Sequence, residues 1–298
     1  MEKIIPGIVT KVKRNVTYQN IHLNSMFRDN YYKTKSADFV YSIPIQLKNI
    51  TAISLTSLDI PNAWYLFSDL KKNNIFWVTV INECGKRNTF NITIPEGNYD
   101  VGKLETVLNE KYFYASSNDN GLEYLRFRID RTTLKSEFVV TGEADSKFKY
   151  SIQFATENTS NIYETAGWVL GFRYGNYLEQ QGTLRSEGIF DGGGDRYIYF
   201  CLEDYNYNTN NNNIVCFNGS NMSKNILGKI YLYNGKFQLN INDIPDNSVS
   251  FTKTRQYTGP VDLKKVKITL LDQFGKLIDL NNMDFSFTLQ LEILYENI

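Results

Sequence analysis

Every second residue is apolar near the C-terminus, where mostly polar residues separate Phe285, Phe287, Leu289, Leu291 and Ile293. A period of two is typical of a strand with one buried face. Residues 266–270 show the same alternation, and Asp272-Gln273-Phe274-Gly275 has the composition of a turn. The two runs predict a C-terminal pair of strands, joined by a connection that has its own apolar residues, Leu277, Ile278 and Leu280.

Shorter runs of the same kind occur along the rest of the chain, separated by Asn, Gly and Asp. They cover residues 50–60, 75–81, 90–94, 122–130, 138–140, 150–154 and 197–202. Residues 197–202 are apolar on both faces, which predicts a central strand that is covered on both sides. Ten or so short strands of this kind predict an all-β protein, an antiparallel sandwich or barrel.

One segment has helical spacing instead. Residues 100–113 place Val101, Leu104, Val107, Leu108 and Tyr112 on one face, and Asp100 is available as the N-cap. A shorter helical turn is predicted over 160–165, ending before Gly167. Residues 97–175 are therefore interpreted as a helix-containing insertion or second subdomain within a β-sandwich of residues 17–298.

Three segments are predicted to lie outside regular structure. Residues 1–16 form a basic N-terminal arm with Lys3, Lys11, Lys13 and Arg14, of a kind that often becomes ordered only on a neighbouring molecule. Residues 191–195 form a glycine-rich loop, and residues 204–213 form a low-complexity Asn/Tyr loop.

Charge and composition reduce the number of functional classes that the sequence allows. The 32 basic and 32 acidic side chains cancel, so the chain lacks the basic excess that nucleic-acid binding requires. The 21 Tyr and 19 Phe residues favour strands and contact surfaces, although an AT-rich genome would produce the same bias. The three cysteines have no C-x-x-C spacing and indicate a reducing compartment. No apolar run is long enough for a signal peptide or a membrane span.

The residues needed for catalysis are scarce. His22 is the single histidine, and no Gly-x-Ser-x-Gly motif supports a triad through it. The acidic pairs Glu203/Asp204 and Asp279/Asp284 lack a glycosidase spacing and are interpreted as surface acids and turn caps. Residues 191–195 lack the pattern of a calcium loop, and their three glycines lack that of a phosphate loop. We therefore predict a protein that is not an enzyme, with no catalytic, cofactor-binding or metal-binding residues.

Nine segments, taken in order, have a familiar pattern. They are 23–29 (LNSMFRD), 37–44, 47–55, 59–65, 95–99 (PEGNY), 170–172, 257–262, 271–275 and 280–287. This order, which spans most of residues 20–296, resembles the minor capsid or penton-like proteins of large nucleocytoplasmic DNA viruses. Asn24-Ser25 stands where that pattern has Asp-Ser.

Several residues of these segments also have expected structural roles that need no substrate. Arg28-Asp29 is expected to form a charge-assisted hydrogen bond near a strand end. Pro44 and Pro61 are expected to close strands, and Gly97 and Gly259 are expected to supply turns.

The resemblance implies a jelly-roll β-sandwich with one short helix and long loops, acting as a structural component of a giant-virus capsid. It also implies a late protein that assembles in the host cytoplasm and lies in the virion. Its partners would be the major capsid protein and copies of itself, and a vertex protein would form a closed pentamer. The alternative is a virion surface module that binds a receptor or glycan through Trp64, Trp77, Trp168 and the tyrosines at 205–207. A hydrolase that uses two carboxylates is the weakest alternative.

Overall fold

The computed structural model describes residues 15–81, 84–113, 121–141, 148–155, 161–206, 209–210, 215–217, 220–221, 225–232, 240–243 and 253–295. Most of the predicted basic arm (1–14), Tyr207 and much of the Asn/Tyr tract lie outside these residues. The chain forms two compact units. The first contains Met1–Trp64, Arg196–Tyr233 and Leu239–Ile298, and the second contains Tyr65–Asp195 and Asn234–Gln238. The predicted insertion, 97–175, lies within the second unit.

The described residues form seventeen strands, numbered here in chain order. They are β1 (Val16–Asn24), β2 (Asp38–Pro61), β3 (Ile75–Ile81), β4 (Arg87–Thr93), β5 (Leu125–Ile129), β6 (Ser136–Val140), β7 (Lys149–Gln153), β8 (Asn176–Gln180), β9 (Thr183–Arg185), β10 (Tyr197–Glu203), β11 (Thr209–Asn210), β12 (Cys216–Phe217), β13 (Ser220–Asn221), β14 (Ile226–Tyr231), β15 (Asn240–Asp243), β16 (Thr254–Leu271) and β17 (Ser286–Leu294).

Helical structure is limited to short segments. The α-helices are α1 (Val101–Leu108) and α2 (Ala166–Leu170). Single 3-10 turns cover Ser25–Phe27, Tyr31–Lys33, Leu122–Tyr124 and Ile162–Glu164, and a π-turn continues α1 over Asn109–Phe113. The predicted all-β class is confirmed, although there are two short α-helices where one was expected.

The first unit is built on one antiparallel sheet that folds over itself. Its main strand order is β1-β17-β2-β16-β10-β14. The long strands β2 and β16 change register at three places between Gln256 and Lys265, and such irregularities allow one strand to take part in two layers. The ring of Phe200 in β10 lies 5.2 Å from that of Phe287 in β17, although these strands are not hydrogen-bonded neighbours. The unit is therefore a sandwich with its apolar core between two layers.

The C-terminal strands are where predicted, but their pairing differs. β16 and β17 do not pair with each other, because both pair with β2, one on each side. The connection between them first turns back along the end of β16, where Leu271 and Leu277 form an antiparallel bridge, and then buries Ile278 and Leu280 in the core. The predicted turn is present, since Gly275 N donates to Asp272 O at 3.0 Å.

The expectations for proline and glycine are partly confirmed. Pro61 ends β2, but Pro44 lies inside β2 on an exposed stretch where the register with β16 shifts. A missing N–H is tolerated there because the ladder is already interrupted. Gly97 has a positive φ of 153° and pairs with Phe67 in a β-bridge. Gly259 forms no turn and lies inside β16, between the paired residues Gln256 and Val261.

The second unit is a smaller sandwich of two sheets, β4-β3-β7-β8 and β5-β6-β9. The ring of Phe76 in β3 lies 5.9 Å from that of Phe138 in β6. The buried hydroxyl of Tyr150 in β7 donates to Phe138 O at 3.1 Å, which joins the two sheets by a hydrogen bond. Burial raises the pKa of Tyr150 because the apolar core disfavours the phenolate.

The predicted helix covers one edge of the β5-β6-β9 sheet. Asp100 is its N-cap, as predicted, and its side chain accepts from Lys103 N at 2.8 Å. At the end of α1, the Asn109 amide donates to Phe127 O at 2.7 Å and accepts from Phe127 N at 2.9 Å. Asn109 thus satisfies an edge strand in the way that a neighbouring strand would.

The helical turn near residue 162 is followed by a helix that the sequence did not predict. α2 begins at Ala166, immediately after the expected end of the turn at Thr165. A Cβ at Gly167 would lie 2.5 Å from Phe154 Cγ, and Gly171, with φ +94°, ends the helix. Close packing on Phe154 and a left-handed cap therefore explain both glycines.

Alkaline pH is expected to destabilise the second unit through Tyr177. Burial and a hydrogen bond to Glu187 raise the pKa of Tyr177 to about 12, from 10.0. Above pH 10 the unfolded chain loses this proton while the folded chain keeps it, so the free energy of unfolding falls with pH until the folded group also ionises. Urea unfolding at several pH values should show a shallower fall in Tyr177→Phe. Tyr32→Phe, at a 98% exposed residue, should keep the wild-type slope, and identical slopes in all three proteins would contradict the assignment.

Candidate functional site

The segment after β1 is tied to the start of β17 through Ser25. Asn24 caps the first 3-10 turn, accepting from Met26 N at 2.8 Å. Ser25 N donates to Phe285 O at 2.9 Å, and Ser25 Oγ accepts from Phe285 N at 2.9 Å. Ser25 Oγ also donates to Asp284 Oδ1 at 2.7 Å. The Asn24-Ser25 motif therefore has a structural role, joining two segments that are 259 residues apart.

Arg28 completes this junction by an ion pair with Asp284. The Arg28 Nη1 to Asp284 Oδ1 distance is 2.6 Å, and the two side chains are 7% and 16% exposed. Arg28 Nη1 also donates to Ser25 O at 2.8 Å, and its guanidinium lies 4.0 Å from the centre of the Tyr31 ring. Several directional contacts to one guanidinium fix its position. We call Ser25, Arg28, Tyr31 and Asp284 the clamp.

The predicted pairing of Arg28 with its neighbour Asp29 is wrong. Asp29 instead accepts a hydrogen bond from Ser42 Oγ at 2.6 Å. Consecutive residues in extended chain point in opposite directions, so the two side chains of Arg28-Asp29 reach different partners.

Several large apolar side chains, of a kind that is usually buried, are exposed near the clamp in the sequence. The exposed fractions are 68% for Phe27 and 98% for Tyr32. Each side chain is within four residues of Arg28 or Asp284 in the sequence. We call the set the clamp surface; its residues are Met26, Phe27, Tyr31, Tyr32 and Met283. Exposed aromatic and methionine side chains on a fixed backbone are typical of protein contact sites.

The clamp brings together two segments that no local sequence pattern pairs. Residues 23–29 and 280–287 were two of the nine segments of the resemblance. Tyr31 and Tyr32 were not singled out. The signal was the density of large apolar residues in a polar stretch, MFRDNYY.

The residues that were evaluated as catalytic candidates do not come together in one site within the described part of the chain. His22 is exposed on β1, where its Nδ1 lies 3.0 Å from Thr288 Oγ1. Asp284 belongs to the clamp. Asp204 is not a surface acid, because it is 6% exposed. Its carboxylate pairs with Arg255 Nη1 at 3.0 Å and accepts the hydroxyl hydrogen of Tyr257. Burial and the Asp204 charge raise the pKa of Tyr257.

The glycine-rich loop is held by hydrogen bonds and an ion pair. Asp191 Oδ1 accepts from Gly193 N at 3.2 Å, and Asp195 pairs with Lys71 at 3.0 Å. Across the described part of the chain, no group of three or more His, Cys, Asp or Glu side chains is placed to hold a metal ion. No helix in that part has the length and apolar character to cross a membrane.

Among the described aromatic residues proposed as glycan platforms, Trp64 is buried, Trp77 and Trp168 are half-buried, and Tyr205 is exposed. Trp64 is 1% exposed and belongs to the core of the first unit, so it cannot contact a glycan. The guanidinium of Arg173 lies 4.0 Å from the ring centre of Trp168. The ammonium of Lys265 lies 4.4 Å from the ring centre of exposed Tyr205. Trp77 is half-buried in β3.

The architecture defines an antiparallel β-sandwich protein. A solved structure has a similar fold across nearly the whole chain, the crystal structure of the mavirus penton protein. The TM-score is 0.51 and the identity 10%, covering 94% of this chain and 100% of the penton chain. No protein-family model matches the sequence. No curated protein matches it either.

Proposed function

We propose that this protein is a structural subunit of a viral capsid, at the vertex as a penton or at another minor position. The observation that carries the proposal is the structural likeness to the mavirus penton protein, which extends over both units of the chain. A match of this breadth covers more than a shared sandwich core. The fold alone does not define function, so the proposal also needs a surface suited to assembly.

The clamp surface supplies that support. A capsid subunit works through repeated contacts with neighbours, and large aromatic side chains dominate the energy of such contacts. Phe27 and Tyr32 are exposed to 68% and 98%, while the Arg28–Asp284 pair holds the backbone beneath them. We infer that the partners are neighbouring copies of this chain and the major capsid protein, in a virion of a large DNA virus assembled in the host cytoplasm. A vertex protein would form a pentamer.

Self-association tests this function. Native mass spectrometry of the full chain is expected to show a closed oligomer, with a pentamer for a vertex protein. Phe27→Ser/Tyr32→Ser is expected to weaken association by about 30-fold or more, since loss of a contact hot spot costs about 2 kcal/mol or more.

The matched control is Tyr174→Ser/Leu178→Ser. These residues of the second unit are 63% and 69% exposed and lie outside the clamp surface. Association should persist in this variant. A wild-type protein that stays monomeric and is missing from purified virions would overturn the proposal. If the two double variants associate equally well, the clamp surface does not contribute to self-association.

A further inference from the structure

One face of the β5-β6-β9 sheet in the second unit has an excess of positive charge. The register places Arg128, Glu137 and Arg185 directly opposite one another on the three strands. Alternate residues share a face, so Arg126 and Asp130 flank Arg128, and Lys135 precedes Glu137 on the same side. Six charged residues result, four basic and two acidic. They are Arg126, Arg128, Lys135, Arg185, Asp130 and Glu137.

Glu137 fixes two of these arginines at once. Its carboxylate accepts from Arg128 Nε at 2.6 Å and from Arg185 Nε at 2.9 Å. The Glu137 side chain is only 5% exposed, while those of Arg128 and Arg185 are 60% and 46% exposed. One carboxylate carries one negative charge, so it neutralises only one of the two guanidinium groups.

The second acid, Asp130, also pairs with Arg185, so the four basic and two acidic residues leave this face a formal excess of two positive charges. Asp130 Oδ2 lies 3.6 Å from Arg185 Nη2, and Asp130 Oδ1 accepts the backbone N–H groups of Thr132 and Thr133. Arg128 uses only Nε within the described residues. Its two terminal nitrogens remain on the exposed side, in the geometry that binds carboxylate or sulfate by two parallel hydrogen bonds.

We propose that this face binds an acidic oligosaccharide, with its carboxylate or sulfate groups on Arg128 and Arg185. The Nε atoms of the two arginines contact the same carboxylate, at 2.6 Å and 2.9 Å, so the two guanidinium groups lie side by side on the sheet. Two adjacent, fixed guanidinium groups on the outer face of a sheet can bind the closely spaced carboxylate or sulfate groups of an acidic oligosaccharide. This function is separate from the capsid role and uses none of the aromatic residues that the sequence suggested for glycans.

Two observations favour a short acidic glycan over other anions. The uncharged outward residues beside the charged row are Val139 and Thr183, and these three strands present no outward aromatic anchor of the kind that protein contacts use. Residues 65–195 contain 18 acidic and 14 basic side chains, a formal charge of −4. A long nucleic acid lying across this unit would therefore meet net repulsion.

Binding of defined oligosaccharides to the full chain tests the proposal. The probes are a sulfated heparin hexasaccharide, a sialic-acid oligomer and neutral maltohexaose, measured by calorimetry at about 25 mM salt, where screening is weak. At least one acidic probe should bind and the neutral one should not. Arg128→Gln/Glu137→Gln/Arg185→Gln should weaken binding about fivefold or more, as loss of two exposed charge contacts predicts. Changing Glu137 as well avoids leaving a buried carboxylate without a partner.

The matched control is Arg87→Gln. Arg87 is 63% exposed and pairs with Glu179 at 2.7 Å on the other sheet of the same unit, and its loss should leave binding unchanged. The proposal is overturned if no acidic oligosaccharide binds the wild type, if Arg87→Gln weakens binding as much as the triple variant, or if polyglutamate of equal charge binds more tightly. Mass spectrometry of the same samples reports self-association independently, so failure here is distinguishable from failure of the capsid role.

Discussion

Phe138→Ala is expected to destabilise the second unit by about 3–5 kcal/mol, the usual cost of removing a fully buried aromatic ring. Phe138 is 0% exposed and lies at the centre of the aromatic core. Its ring centre lies between 5.2 and 6.2 Å from those of four neighbours, Phe76, Phe113, Phe127 and Phe172. These neighbours come from both sheets, from the π-turn after α1 and from the segment that follows α2. Their separate attachments limit how far they can move to fill the cavity, so the loss should be near the upper end of this range.

Urea unfolding measured by circular dichroism checks the value. Phe138→Leu keeps most of the volume and should lose only about 1.5 kcal/mol or less. Tyr174→Ala removes an aromatic side chain that is 63% exposed and should cost about 1 kcal/mol or less, because little buried surface is lost. A Phe138→Ala protein as stable as Tyr174→Ala would show that the ring is not central to the core.

Local pattern predicted the strands but not their partners. β3 occupies the predicted residues 75–81, because alternation and β-branched content are local properties. The pairing of β16 and β17 with opposite sides of β2 depends on long-range contacts, including the burial of Ile278 and Leu280 from the connection between them. The Asp-Gln-Phe-Gly turn is compatible with a short hairpin and with a longer connection. The local pattern therefore predicted that β16 pairs with β17, the next strand in the sequence.

The clamp shows the same limit at the candidate site. Arg28 and Asp284 are 256 residues apart, and a sequence read locally pairs Arg28 with Asp29 instead. The sequence shows that the stretch around Arg28 is rich in aromatic residues, but it does not show which of them are exposed. Trp64 is also aromatic and is only 1% exposed. Asp204 is the converse case, a residue that was predicted to be exposed and is buried. Its burial depends on contacts with β16, which is more than fifty residues away in the sequence.

Asp204→Asn is expected to destabilise the first unit by about 3–5 kcal/mol, because it leaves the buried guanidinium of Arg255 without a counter-charge. The two side chains are 3% and 4% exposed and 3.0 Å apart. Arg255 Nη2 also donates to Asn225 O at 3.1 Å, so the guanidinium is held in the interior and cannot turn to water. The change keeps the shape of residue 204, so the loss reports charge and not volume.

A double variant separates charge from structure at this position. Asp204→Asn/Arg255→Met removes both charges, and it should be more stable than Asp204→Asn alone, because no uncompensated ion remains in the core. Asp38→Asn breaks the Asp38–Lys267 pair of the same unit, whose side chains are each 38% exposed, and should cost about 1 kcal/mol or less. If Asp204→Asn unfolds at the urea concentration of Asp38→Asn, or if the double variant is the less stable of the two, water reaches Arg255 and the pair is not a buried ion pair.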